Sequence, residues 1–104
     1  MATPRTPRPV ERAMRRIGSD LKTWRLLRRL TIEQVADRAG VERRTVMNLE
    51  AGRKPTVDTL LRVARALGVL DRLVESVDPY ETDVGRLRVD EALPIRVRPP
   101  RSVE

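Results

Sequence analysis

The sequence contains no cysteine, no histidine and no phenylalanine. Without cysteine it has neither disulfides nor thiolate metal sites, and without histidine it lacks the commonest general base and metal ligand. With one Trp and one Tyr as its aromatic residues, any core has to be aliphatic. No run approaches the roughly 20 apolar residues that span a bilayer, and the N-terminus lacks the apolar stretch of a signal peptide.

These absences narrow the classes of function. Carboxylates and hydroxyls remain, but no Gly-rich phosphate loop and no carboxylate cluster at metal-ligand spacing accompanies them. We therefore expect no enzyme, no cofactor, no metal site and no membrane association. A chain without cysteine suits the reducing cytoplasm, and we expect the protein to lie there.

Positive charge is abundant and unevenly distributed. The 104 residues carry a net charge of +7, with +3 in residues 1–20, +5 in residues 21–54 and close to zero thereafter. A basic half beside a near-neutral half suits a surface for a polyanion and a surface for self-association. An Arg-rich protein that is merely soluble would show the same charge.

Caps and breakers divide the chain into short helices. Pro-rich residues 1–10 should form a flexible basic tail. Thr31, with Gln34 three residues later, predicts the start of one helix, and Thr56 after Pro55 predicts another. The predicted helical segments are 10–30 with a possible break at 18–20, 31–39, 42–51, 57–67 and 70–77. The side chains expected to be buried are Ile17, Leu21, Trp24 and Leu27, then Val35 and Ala36, then Leu60, Leu61, Ala64 and Leu67.

This pattern predicts an all-α fold of five helices over residues 11–78, followed by an extension at residues 79–104. The extension should begin with one more helix, capped by Thr82 and carrying Val84 and Leu87. Residues 95–98 alternate apolar and basic side chains between two prolines, which is typical of a short edge strand. Such a strand either stays loose or pairs with a second copy of the chain.

The spacing within residues 32–50 is the most specific feature. Ala36 falls where only a small side chain fits between two crossing helices, and Gly40 falls where the turn needs a positive φ. Val35, Val46 and Leu49 are spaced to face inward and hold the two helices at a steep angle. Together these residues predict a helix-turn-helix.

The run Leu21–Val69, which contains TIEQVADRAGVERRTVMNLEAGRKP, resembles the phage-repressor class of helix-turn-helix domains, the Xre type. The resemblance implies a five-helix DNA-binding fold, usually dimeric, with residues 42–51 as the recognition helix. It also implies that Glu50, an anion in the last helical turn, pairs with Arg25 on the first helix. Ile32 departs from the family pattern, which usually has Gln there, although Thr31 beside it still offers a hydroxyl to a phosphate.

Two sets of side chains are predicted to contact DNA. Arg matches guanine and Asn matches adenine in the major groove, while cations beyond the helix suit phosphates. The cations expected to contact phosphates would form a positively charged surface, which Arg28, Arg29 and Lys22 could extend. Alternatively, each of these side chains could simply be solvated. The predicted base contacts are Arg43, Arg44, Met47 and Asn48, and the predicted phosphate contacts are Thr31, Thr45, Arg53 and Lys54.

The function favoured is a homodimeric transcriptional repressor that reads a palindromic operator in double-stranded DNA and associates with the nucleoid. The expected dimer interface comprises Leu70, Leu73, Val74, Val77 and the tail at 84–98. The tail also resembles extensions of Xre-type regulators associated with HipA-like kinase toxins, which implies an antitoxin with a toxin partner. A free-standing phage-like or metabolic regulator and an interaction adaptor that does not bind DNA are the alternatives.

Overall fold

A computed structural model describes residues 4–92 of the chain as short helices joined by turns. Helix α1 spans Arg8–Leu27, α2 Ile32–Ala39, α3 Arg43–Glu50, α4 Val57–Leu67, α5 Leu70–Ser76 and, after a 3₁₀ turn at Pro79–Glu81, α6 Asp83–Ala92. No strand occurs within residues 4–92, and the predicted all-α class is confirmed. The strand predicted at 95–98 lies outside the described residues. None of the helices in this range combines the length and apolar character needed to cross a bilayer.

The chain divides between Asp71 and Arg72 into two compact units. The first holds the aliphatic core, and no described side chain after Val69 is buried. In the second, Arg86 Nη1 on α6 donates a hydrogen bond to the carbonyl of Tyr80 in the 3₁₀ turn at 2.8 Å. The division between the two units falls before residue 78, the residue at which the sequence suggested that the first domain ends.

Helix α1 begins earlier than the sequence indicated. Arg8 and Pro9, expected within the flexible tail, belong to its first turn, so that part of the prediction is wrong. Pro9 lies at the start of the helix, where the backbone N–H that proline lacks would have no helical partner. The amides of Val10 and Glu11 both donate to the carbonyl of Pro7, which closes this turn.

The break predicted at residues 18–20 does not occur, because Gly18 has a packing role inside α1. Gly18 is buried where α1 crosses the end of α3, against the carbonyls of Leu49 and Glu50. A Cβ at this position would lie 2.6 Å from the Glu50 oxygen, closer than real side chains approach. Glycine is therefore required for close approach of two backbones rather than for a turn.

The core is wholly aliphatic, as expected, but three predicted members are exposed and two are only half-buried. Ile17 is 37% exposed, Leu27 68% and Leu61 36%, while Trp24 and Leu60 are half-buried. At 100° per residue, Leu27 lies about 150° around α1 from the buried residues of that helix, and Leu61 lies about 110° around α4 from its buried residues. Val63 takes the place predicted for Leu61. The buried apolar residues are Leu21, Val35, Ala36, Ala39, Val46, Leu49, Val63, Ala64, Leu67 and Val69.

The predicted helix starts are confirmed by their caps. The Thr31 hydroxyl accepts from the Gln34 amide at 3.0 Å, and the Gln34 side chain accepts from the Thr31 amide at 2.9 Å. The Thr56 hydroxyl accepts from the amide of Thr59 at 3.1 Å at the start of α4. Each cap satisfies backbone donors that no helical carbonyl can reach, which fixes where α2 and α4 begin.

Candidate nucleic-acid interface

Helices α2 and α3 form the predicted helix-turn-helix. Gly40 ends α2 with φ of +69°, the left-handed conformation that glycine adopts without strain. The chain then turns through Glu42, which precedes the first residue of α3. Val46 and Leu49, both on α3, are fully buried. One face of this helix is therefore fixed to the core, and the opposite face is left to solvent.

The solvent-facing side of α3 carries the four residues predicted to contact bases. Arg43 and Arg44 are exposed, and Met47 is 44% exposed. Asn48 and Thr45 are half-buried at the edge of this face. The face therefore offers two guanidinium groups, an amide and a thioether from a single helix, which is the donor and acceptor chemistry that base edges in a major groove require.

A buried ion pair joins α1 to the end of α3. Arg25 Nε lies 2.8 Å from Glu50 Oε2 and Nη2 lies 3.2 Å from Oε1, a bidentate arrangement with side chains only 10% and 9% exposed. Arg25 Nη1 also donates to the carbonyl of Leu30 at 3.0 Å. An anion near a helix C-terminus opposes the helix dipole, so the Arg25 cation offsets an unfavourable placement of Glu50. The pair holds α3 in one orientation on α1.

Asn48 is oriented by a neighbour that the sequence assigned to phosphate. Arg53 Nη1 donates to the Asn48 side-chain oxygen at 3.1 Å. This contact uses one of the two lone pairs on that oxygen, and the Asn48 NH2 group stays available as a donor. Arg53 keeps its other N–H groups for a further acceptor. The two residues thus form one unit at the C-terminal end of the α3 surface.

A concave surface of about 560 Å³ lies at the opposite end, where α1, α2 and α3 meet. Thr31, Arg29 and Arg43 line it, and Glu33 lies 3.8 Å from Arg43 in an exposed ion pair. The Thr31 oxygen accepts the α2 capping bond, so its hydroxyl hydrogen is the group left for a phosphate. Ile32, also part of this lining, offers no polar atom.

Thr45, Asn48, Arg53 and Lys54 line a smaller concavity of about 200 Å³ beside the end of α3. Lys54 is exposed and has φ of +41°, an unusual backbone conformation for a residue with a side chain. Arg29, in the turn between α1 and α2, has φ of +57° and is also exposed. These are the two positive-φ residues other than glycine in the described chain, and both are cations next to the α3 surface.

Arg28 does not join the positively charged surface to which the sequence assigned it. Its Nε donates to the carbonyl of Leu67 at 2.7 Å, and its guanidinium stacks over the Trp24 ring at 5.5 Å from the centroid. Leu67 ends α4, where carbonyls lack helical partners and the dipole favours a cation. Arg28 is therefore a structural residue that ties α1 to α4.

Comparison with known proteins is consistent with this geometry. A family model described as helix-turn-helix matches residues 21–71. A protein from Sinorhizobium fredii (strain NBRC 101917 / NGR234), described as an uncharacterized HTH-type transcriptional regulator, y4dJ, is 42% identical over 66 residues, which cover 62% of this chain and 83% of that protein. The chain belongs to the Xre-type helix-turn-helix family. No solved structure matches the chain significantly.

Members of this family are DNA-binding transcriptional regulators, and this chain is a regulator of that kind. The family match begins at residue 21, so residues 8–20 of α1 precede it. Within the match, α3 occupies the place of the recognition helix implied by the resemblance. Helix-turn-helix regulators insert that helix into a major groove.

Three structural roles escaped sequence reasoning. Gly18 resembled a helix break, although its place one turn before the buried Leu21 is a signal of close packing. The Arg28 bond to α4 joins residues far apart in sequence and has no local signature. The hydrogen bond from Arg53 to Asn48 crosses the C-terminal end of α3. Sequence patterns do not show where these two side chains lie, so the two residues were predicted to have separate roles.

Proposed function

We propose that the protein is a homodimeric repressor that reads a palindromic operator with α3 and lies with the DNA in the nucleoid. In this proposal Arg43, Arg44, Met47 and Asn48 face base edges. The supporting observation is that α3 is fixed to the core by Val46, Leu49 and the Arg25–Glu50 pair while its opposite face stays open. Each bidentate contact from this face would contribute about 1–3 kcal/mol of discrimination between bases.

Phosphate contacts are assigned to both ends of α3. The supporting observation is that Thr31 lines the concavity on the α2 side of α3. Another concavity, on the α4 side, is lined by Thr45, Arg53 and Lys54. Contacts at both ends of a recognition helix would fix its register in the groove without reading sequence. The Arg53 bond to Asn48 further suggests that a phosphate held by Arg53 would set the angle of the Asn48 amide.

Dimer formation is proposed because one recognition helix reads too few base pairs to select a site in a genome. Exposed apolar side chains in the second unit support an interface there. Val74 on α5 is 57% exposed, Val77 just after α5 is 82% exposed, and α6 exposes Val84 and Leu87. Sedimentation of wild type and of Val77→Asp tests this assignment: a dimer that dissociates in the variant supports it, and a monomeric wild type refutes it.

Mapping the genomic fragments bound by wild type and by Arg44→Ala tests the proposed base contacts. We expect wild type to enrich a palindromic site and Arg44→Ala to lose that enrichment while retaining nonspecific binding. Arg65→Ala is the matched control, since Arg65 is an exposed arginine on α4, outside the proposed contacts. If Arg44→Ala selects the same fragments as wild type, Arg44 does not read bases.

An antitoxin role is a second candidate, favoured by the same exposed apolar side chains of α5 and α6. In that role the surface binds a HipA-like kinase rather than, or in addition to, a second copy of the chain. Co-expression with a kinase encoded beside this protein distinguishes the candidates: a stable complex supports the antitoxin, and a free homodimer supports the independent repressor. Family membership supports DNA binding over the interaction adaptor.

A further inference from the structure

The part of α1 that precedes the family match carries a row of unpaired cations. Arg8, Arg12 and Arg15 are separated by four and then three residues, which places them on one side of the helix. All three are exposed, and no carboxylate of the described residues forms an ion pair with any of them. Arg16, in the same helix, does pair with Asp20 at 3.3 Å. We call Arg8, Arg12 and Arg15 the arginine row.

The arginine row is unfavourable for the helix that carries it. Like charges three or four residues apart destabilise a helix by about 0.2–0.5 kcal/mol for each pair. The turns that hold Arg8 and Arg12 contribute no buried side chain, so packing does not explain why this segment is helical and basic. A negatively charged ligand along the row would remove the repulsion.

The arginine row meets the proposed DNA interface at Arg15. A Cβ on Gly52, just past α3, would lie 2.8 Å from the Arg15 backbone, so α1 and the α3–α4 turn are in direct contact. A concavity of about 350 Å³ at this junction is lined by Arg15, Arg53 and Lys54, together with Gly52, Met14 and a single carboxylate, Glu11. The row is therefore continuous with two residues already assigned to phosphates.

We propose that the arginine row is an additional contact surface for the DNA backbone, on residues outside the family match. The inference rests on the proposed function, which places Arg53 and Lys54 against phosphates. From Arg8 to Arg15 the row extends about 10 Å along the helix, and a duplex presents a phosphate charge for roughly every 1.7 Å of its axis. The row adds affinity and an extended footprint without adding base selectivity.

The salt dependence of binding tests the arginine row directly. The full chain is titrated onto a fluorescent duplex of arbitrary sequence, because phosphate contacts do not depend on the operator. The triple variant Arg8→Gln/Arg12→Gln/Arg15→Gln is compared with Arg38→Gln/Arg62→Gln/Arg65→Gln, which removes the same charge from exposed positions on α2 and α4. The measurement is the slope of log affinity against log salt concentration.

We expect the slope of the row variant to fall by about 0.9 for each lost phosphate contact, or about 2.7 per protomer. The loss of affinity between 50 mM and 200 mM salt then shrinks by about 40-fold, whereas the control variant keeps the wild-type slope. Thermal unfolding of the row variant should be unchanged or shifted upwards, because like charges are removed from α1. Arg15→Gln alone should lower the slope by about 0.9 with minimal effect on folding.

A wild-type slope in the row variant, or an equal fall in both triple variants, overturns the proposal, since the first shows no contact and the second only a net-charge effect. A row that serves an acidic protein instead gives the wild-type slope. Failure of the proposed function is distinguishable: wild type then shows no base selectivity in the fragment experiment, whether or not the row changes the salt slope.

Discussion

In Glu50→Gln, the carboxylate that faces Arg25 becomes a neutral amide of the same size. The Arg25 guanidinium stays buried, and two of its donors lose the anion that now lies 2.8 and 3.2 Å away. Breaking a buried pair by removing one partner costs about 3–5 kcal/mol. Because Arg25 Nη1 keeps the Leu30 carbonyl and the amide oxygen remains as an acceptor, we expect the low end, about 3 kcal/mol.

For a domain of this size such a loss lowers Tm by roughly 12–24 °C. Urea denaturation followed by far-UV circular dichroism, and by fluorescence of the half-buried Trp24, gives the free energy of unfolding. The matched control is Asp20→Asn, which breaks the exposed Arg16–Asp20 pair and should cost less than about 1 kcal/mol.

A double-mutant cycle separates the pair from its surroundings. Arg25→Met and Glu50→Leu should each destabilise strongly, while the double variant should lose about 2 kcal/mol less than the sum, since neither charge is left buried alone. If Glu50→Gln costs less than about 1 kcal/mol, or if the two single costs simply add, the pair does not hold α3 on α1 and the reasoning is refuted.

Three other substitutions test separate parts of the structure. Gly18→Ala should lower the free energy of unfolding by about 2 kcal/mol in urea denaturation, because a Cβ would meet the Glu50 carbonyl; a gain in stability would show that helix propensity outweighs packing there. Arg29→Gly should leave stability unchanged or raise it by up to about 1 kcal/mol, since φ is +57°, and should weaken DNA binding in the same preparation; a clear loss of stability would contradict the strain argument. Arg53→Gln should relax selection at the base pair read by Asn48 as well as lower affinity, measured by selection from random duplexes; an equal loss across all sequences would make Arg53 a phosphate contact alone.

The helices and their order could be predicted where the signal is local. Thr31, Gln34 and Thr56 mark helix starts because their capping bonds join residues three positions apart. Gly40 marks a turn because glycine adopts a positive φ without strain. Inward positions of α2 and α3 followed from the 3.6-residue repeat. These features depend on neighbours in sequence, and a single sequence is enough to place them.

Features that depend on contacts between distant helices could not be predicted in the same way. The burial of Gly18 is set by the approach of α3, and the absence of a Cβ signals a turn as readily as a close contact. Leu61 is an apolar residue of the kind found in cores, but α4 packs with Val63, Ala64 and Leu67 inward, which leaves Leu61 exposed. For the interface, residue types indicated DNA contacts, but the hydrogen bond between Arg53 and Asn48 could be recognised only from the positions of the two side chains.

The most direct test of base reading by α3 combines one protein change with one DNA change. Wild type and Arg44→Ala are titrated onto the selected operator with guanine or with 7-deazaguanine, which lacks the N7 acceptor of a bidentate arginine contact. For wild type we predict that the modified operator binds more weakly by about 1–3 kcal/mol, or roughly 5–150-fold, and that Arg44→Ala is insensitive to the modification. Equal sensitivity of the two proteins, or none in wild type, would contradict the assignment of Arg44 to a guanine edge.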